Sequence, residues 1–282
     1  REESISTALV GTYMNIPIAH VCGGDRVVGN IDDSIRHAVT KLAHLHFPTT
    51  KENGERILKM GEEAWRIHVT GNPALDSIRK QPDLSYKYIN EKLNTSLSAE
   101  KPFILLIKHP LSSEMEEAGE QMRITLEAVS ELGLDTIITY PNSDAGSYDM
   151  IKIIDEFTKK YNFINAYKTL PRDVFVNLQR KAALLLGNSS AGILEAPFLK
   201  LPVVNIGNRQ KQRQHADNIL YVPHNKELIK EAIRKAVNDE NFKETCKNCS
   251  NPYGDGYSGE RIAQIIAETE INKELLNKQI VY

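Results

Sequence analysis

The chain alternates short aliphatic or β-branched runs with longer amphipathic stretches almost from end to end. The compact runs predict strands over 16–21, 67–70, 103–108, 136–139, 163–165, 183–186, 203–205 and 219–221. Between them, apolar positions three and four apart predict helices over 4–14, 33–43, 51–60, 114–132, 148–161, 172–182, 191–199, 226–237 and 260–269. Strand–helix alternation of this kind is the pattern of an α/β protein with a doubly wound parallel sheet. The best break is the turn-forming Gly71-Asn72-Pro73, followed by a polar stretch over 81–99 read as flexible. Residues 74–255 then make a complete α/β domain, whereas 1–70 hold two or three strands, too few for an independent sheet. That first part either is a small appendage or, as expected because the chain opens directly on a helix, pairs with sequence preceding it.

Composition narrows the class. The 282 residues are 41% hydrophobic and 26% charged, and the net charge of -2 supplies no basic field for nucleic acid or a membrane surface. No apolar run approaches the ~18 residues that span a bilayer. Three cysteines form a sparse, odd set, which favours a reducing cytoplasm. Cys246 and Cys249 make a lone C-x-x-C with no second pair to complete a zinc site, and read as two cysteines of a surface loop.

The most informative stretch is 187–213, GNSSAGILEAPFLKLPVVNIGNRQKQR. A strand ending in Gly-Asn-Ser-Ser and feeding a helix gathers backbone N–H groups, two hydroxyls and a helix dipole, which suits a phosphate. Glu195 lies where a carboxylate could accept from ribose hydroxyls. Arg209, Lys211 and Arg213 follow the next strand, as an anion clamp or a solvated loop. Two other loops end strands: Lys108-His109-Pro110, open between phosphate contact and plain loop, and the turn-rich Tyr140-Pro141-Asn142-Ser143-Asp144-Ala145-Gly146. A further cluster, HVCGGDRVVGNIDDSIRHAVTKLAHLH over 20–46, places Asp25 after a Gly-Gly turn and Asp32-Asp33-Ser34 at a helix N-cap, with Arg36 and His37 behind. One carboxylate suffices for a cap, and the excess suggests acid/base work. For His37, His44 and His46 a metal reading is possible, but packing or hydrogen-bonded histidines are the expectation. There is no Walker A motif and no G-x-G-x-x-G after a strand, so ATP hydrolysis and NAD chemistry have no support.

Taken together, GGD with IDDSIRHAVTKLAHLHF, then KHP, PNSDAG and GNSSAGILEAP with NIGNRQ, resemble the UDP-N-acetylglucosamine 2-epimerase family. The likeness is strongest to its hydrolysing branch, which makes N-acetylmannosamine for sialic acid synthesis, and it runs over nearly the whole chain. It implies two Rossmann-like domains of GT-B type, the N-terminal one incomplete here and short of some ~90–100 residues. On that scheme 1–71 ends the first domain, 72–255 binds UDP, and 256–282 supplies helices packing back on the first domain. The resemblance assigns Ser189 and Ser190 to the diphosphate, Glu195 to the ribose and Phe175 to stacking on uracil, with His109, Asn142 and Arg209 beside the nucleotide. Asp25 and Asp32 match acidic positions implicated in catalysis, and Arg36 an active-site arginine. Arg1 falls in the tail of a Gly-Asp-Arg-x-Glu motif at the UDP, whose aspartate would precede the chain.

The implied partner is UDP-N-acetylglucosamine, with no metal or cofactor, in a cytoplasmic homo-oligomer (dimer or tetramer). A base would remove the C2 proton as UDP leaves C1. A second acid would reprotonate the glycal from the other face, and water would add at C1. The rivals are a non-hydrolysing epimerase, a relative acting on another nucleotide-activated amino sugar, a glycosyltransferase needing an acceptor, and a non-catalytic UDP-sugar-binding module.

Overall fold

The computed structural model describes residues 2–26, 31–211 and 213–281, apart from the side chains of Glu2, Ile31 and Asp32. The chain divides into two compact units, Arg1–Lys80 with Asn251–Tyr282, and Gln81–Ser250. The first unit opens with α1 (Glu2–Tyr13), β1 (Ala19–Val21), α2 (Ile31–Leu42), β2 (Leu45–Phe47), α3 (Lys51–Lys59) and α4 (Pro73–Lys80). β1 and β2 pair in parallel, Ala19 opposite Leu45 and Val21 opposite Phe47. The strand expected over 67–70 is reduced to a single bridge between Ile67 and His46. The reason is Pro48: it accepts from the Thr70 N–H at 3.2 Å but has no N–H to return, so the ladder stops. Gly71-Asn72-Pro73 starts α4, with the Asn72 side chain accepting from the Ala74 N–H at 2.9 Å and Pro73 first in the helix, where an N–H is dispensable. The division between units falls at the far end of α4, after Lys80.

The second unit begins with α5 (Tyr86–Leu93), in the stretch expected to be flexible. Ser85 caps it by accepting from the Tyr88 N–H, and Ile89 and Leu93 bury its inner face. There follow β3 (Phe103–Ile107), α6 (Ala118–Leu132), β4 (Asp135–Thr139), α7 (Ser147–Lys160), β5 (Ile164–Tyr167), α8 (Arg172–Lys181), β6 (Leu184–Gly187), α9 (Ala191–Leu194), β7 (Val203–Ile206), β8 (Ile219–Val222), α10 (Lys226–Asn238) and α11 (Glu240–Asn248). The six strands form one parallel sheet in the order β5-β4-β3-β6-β7-β8. Successive residues of β3 serve opposite faces, as a period of two requires. Ile104 and Leu106 join the core under α6, α7 and α10, while Phe103, Leu105 and Ile107 join the core with α5 and α8.

The strand order runs outward in both directions from the β3–β6 pair. In sheets of this class the crevice outside the carboxyl ends of such a pair collects ligands. Two expectations are corrected in this unit. The helix expected over 191–199 is a single turn, because Pro197 has no N–H to carry it on. Cys246 and Cys249 are not surface residues: Cys246 lies on α11, both are buried, and the Cys249 N–H closes that helix on the Cys246 carbonyl.

The chain ends back in the first unit with α12 (Ser258–Glu268) and α13 (Lys273–Leu276). Asp76 of α4 caps α12 from the side, accepting from the Ser258 and Gly259 N–H groups at 3.0 and 2.7 Å. Arg66, fully buried, donates to the carbonyls of His44, Glu274 and Leu275 and so fastens α13 beside β2. Among the described residues no helix is long and apolar enough to cross a membrane.

Candidate functional site

In the second unit the site starts where β6 ends. Gly187 has φ 130°, and a Cβ there would run into the Ile107 carbonyl of β3, so only glycine lets the chain turn this close to its neighbour. The next residue, Asn188, is a buried amide joining three loops. Its Oδ1 accepts from the His109 N–H and its Nδ2 donates to the His109 carbonyl, each at 2.8 Å. Its own carbonyl accepts from the Arg209 guanidinium and the Gln210 amide, both at 3.0 Å.

Around this hub stand the groups a phosphate needs. The hydrogen bonds that Ser189 and Ser190 make among the described residues run through their carbonyls and the Ser189 hydroxyl, not their N–H groups. With only one helical turn behind them, α9 contributes little dipole, so an anion placed here would depend on these N–H donors, Arg209 and His109. Burial, and then the charge of Arg209, push His109 down to about 4, so its ring is neutral at pH 7. Its Nδ1 accepts from the Asn142 N–H at 3.3 Å, which assigns the proton to Nε2 as a neutral donor. The cationic run divides: Arg209 turns into the hub, Arg213 donates to the Gln210 side chain at 3.4 Å, and Lys211 is exposed.

Glu195 sits at the end of α9. It accepts from the buried Gln179 amide at 2.8 Å and from Arg172 at 3.3 Å. Arg172, Phe175 and Gln179 occupy α8 at spacings that share one helix face, and the Arg172 guanidinium lies 5.7 Å from the Phe175 ring. Sequence reading missed Asn188, Gln179 and Arg172 as supports of this site. The spacing to Phe175 was the available signal for the two on α8.

In the first unit Asp25 follows the Gly23-Gly24 turn, which Arg56 of α3 holds by donating to the Gly24 carbonyl. Arg36 ties this turn to α2: it donates at 3.0 Å to the Asp25 carbonyl and at 3.0 Å to the Asp33 carboxylate. Asp32 is in the first turn of α2, its side chain outside the description, as is Arg1 altogether. His20 lies 3.2 Å from the Thr40 hydroxyl, and burial, then the neighbouring His46, Arg36 and His37, hold it down at about 4. His44 and His46 of this unit make structural hydrogen bonds. His44 accepts from the Ile18 N–H at 3.0 Å, and His46 meets Glu62 at 3.1 Å. Among the described residues no cluster of histidine, cysteine and carboxylate side chains could hold a metal.

A family model described as UDP-N-acetylglucosamine 2-epimerase matches residues 1–267. The chain belongs to the UDP-N-acetylglucosamine 2-epimerase family. Among curated proteins it is 33% identical over its whole length to the UDP-N,N'-diacetylbacillosamine 2-epimerase (hydrolyzing) of Legionella pneumophila, covering 72% of that protein. It is also 33% identical, over 78% of its length, to the GDP/UDP-N,N'-diacetylbacillosamine 2-epimerase (hydrolyzing) of Campylobacter jejuni, of which it spans 57%. Among solved structures, the Neisseria meningitidis UDP-GlcNAc 2-epimerase bound to UDP-GlcNAc matches with a TM-score of 0.78 at 20% identity, over 94% of this chain and 73% of that one. The epimerases it matches in structure are of GT-B type, and its own α/β units carry parallel sheets as theirs do. For this member of the family, the structure brings His109, Asn142, Ser189, Ser190 and Arg209 to one sheet edge, with Glu195 at the C-cap of α9 and Phe175 on α8. Asp25 and Arg36 meet separately in the first unit.

Proposed function

We propose that this protein is a hydrolysing 2-epimerase of a UDP-activated 2-acetamido sugar, converting UDP-N-acetylglucosamine and water to N-acetylmannosamine and UDP. The observation that carries the reading is the Asn188 hub, which fixes His109 and Arg209 around the Ser189-Ser190 turn as a diphosphate seat. Glu195, held by Gln179, then takes the ribose hydroxyls, and Phe175 stacks on uracil. Asn142 supports the seat through His109, and Arg1 belongs to the same nucleotide. Phosphate donors aimed at the departing UDP stabilise charge as it develops. Asp25 and Asp32 carry the two proton transfers at C2, with Arg36 fixing the Asp25 turn. The scheme calls for no cofactor. Three free thiols favour the cytoplasm, and a homo-oligomer is expected.

The hydrolysing outcome is supported by the names of the first two relatives. The same names favour a second substrate, UDP-N,N'-diacetylbacillosamine. Proton NMR in deuterated water, with the full-length protein and each sugar nucleotide in turn, tests both points. Deuterium at C2 with release of UDP is expected. Epimerised UDP-sugar without release would move the protein to the non-hydrolysing branch, and UDP binding without turnover would make it a binding module.

A further inference from the structure

Behind the seat lies a lysine for which the proposed chemistry has no use. Lys108, between β3 and His109, is 1% exposed. Its ammonium donates to the Gln121 carbonyl at 2.6 Å and the Thr125 hydroxyl at 2.8 Å, both on α6, and lies 3.3 Å from Nδ1 of His224. Those partners match its three protons, and the α6 pair is uncharged. Among the described residues no carboxylate forms an ion pair with it. Glu114, the acidic group acting on it from ahead of α6, is already bonded by the Gln121 amide at 2.8 Å. His224 faces it from the end of β8, and His109, with Arg209 beyond, adjoins it along the chain.

Its place is as telling as its partners. A Cβ on Gly187, the residue that opens the 187–213 loop, would stand 3.3 Å from the backbone nitrogen of Lys108, so the main chain of Lys108 adjoins that loop. The ring of His224 packs on Gly207, its Nε2 2.6 Å from where a Cβ would stand, and Gly207 opens the loop that carries Arg209. The main chain of Lys108 thus adjoins one loop, the His224 ring packs against the other, and the ammonium joins the two residues at 3.3 Å.

We propose that Lys108 and His224 form one buried cation that acts as the electrostatic counterpart of a nucleotide's diphosphate and takes up a proton when the nucleotide binds. The inference rests on reading 187–213 as a nucleotide seat. A buried charge without a counter-charge is costly, and an anion placed beside it removes much of that cost. Burial alone brings Lys108 down to about 7, and burial together with Lys108 brings His224 down to about 4. Near neutral pH the pair is therefore poised between charged and neutral, with the proton shared as a property of the pair.

The test is calorimetric titration of the 282-residue chain with UDP in buffers of different ionisation enthalpy, from pH 6.5 to 9, beside the variant Lys108→Met. If the diphosphate lifts the pair by one unit, uptake is about half a proton per UDP at pH 7.5, where the nucleotide's own phosphate is already ionised. The variant should bind UDP about eightfold more weakly at pH 6.5, with the difference fading by pH 9, and take up no proton at pH 7.5. Equal proton uptake and an equal pH profile in the two proteins would overturn the inference. Absence of UDP binding by the parent chain would overturn the nucleotide-seat reading itself. If the variant does not fold, carbon NMR of lysine Cε in the parent chain decides. The lysine titrating near 7 must move upward when UDP is added, and an unmoved midpoint rejects the proposal.

Discussion

Glu62 in the first unit and Lys108 in the second are both closed off from water, yet their surroundings differ in kind. Glu62 meets Lys41 at 2.9 Å, Lys278 at 2.8 Å and His46 at 3.1 Å. Burial works to raise it, but the hydrogen bonds from His46, Lys278 and Lys41 outweigh that and hold it at about 2. Lys278 also donates to the carbonyls of Thr40, Lys41 and Ala43, where a cation suits the end of α2. This carboxylate is a structural rivet between the chain's last residues and the helix that carries Asp32 and Arg36. Lys108 has hydrogen bonds of the same length but, among the described residues, no ion pair, and Glu114 acts on it only from a distance. A buried charge whose counter-charge is built into the fold reports on stability. One without an ion pair in the fold is where the proposed nucleotide's charge would be felt.

The comparison breaks most visibly at Glu62. Glu62→Gln leaves two lysines without their anion and should cost about 3 kcal/mol, read as a lower urea midpoint. The parent protein carries a matching acid signature. Glu62 is lowered on folding, so its contribution is complete above the unfolded value of 4.5 and is lost as pH falls from there to about 2. The variant should lack that part of the acid transition.

At the seat, Asn188→Asp keeps the shape but cannot donate to the His109 carbonyl and sets a negative charge against the phosphates. UDP affinity should drop by about 2 kcal/mol, roughly thirtyfold, while the denaturation midpoint moves far less. Gln179→Leu removes one neutral donor from Glu195 and should weaken UDP by about 1 kcal/mol, near fivefold, by calorimetry. The smallest effect belongs to Lys108→Met, whose stability at pH 9 should lie within about 1 kcal/mol of the parent. Lys108 titrates at about 7 when folded and near 10.5 when unfolded, so the parent should gain stability as pH rises through that window, and the variant should not. A flat parent profile would mean that Lys108 does not feel its burial.

Much of this was legible beforehand because strand and helix periods are local. The six parallel strands of the second unit all lie within a residue or two of their expected positions, and so do α7 and α8 between them. The failures share a cause. The strand over 67–70 depended on what Pro48 could return, and the helix at 191 on Pro197. The polar stretch before β3 became α5 because Ile89 and Leu93 found a core. The two cysteines were hidden by packing that no spacing announces.

The seat was half visible in the same way. Its serines, arginine and histidine stand out as chemistry at strand ends. Asn188 and Gln179 are ordinary amides until their partners, 79 and 16 residues away, are in place. By itself the sequence determined the α/β alternation, the family and the loops that carry donors, since periodicity and motif are written in neighbouring residues. Only the tertiary structure decided that Asn188 would join three loops, that Glu62 would meet two lysines and that Lys108 would form no ion pair among the described residues. Each depends on contacts between distant residues, and burial multiplies the effect of whichever charge is present or missing.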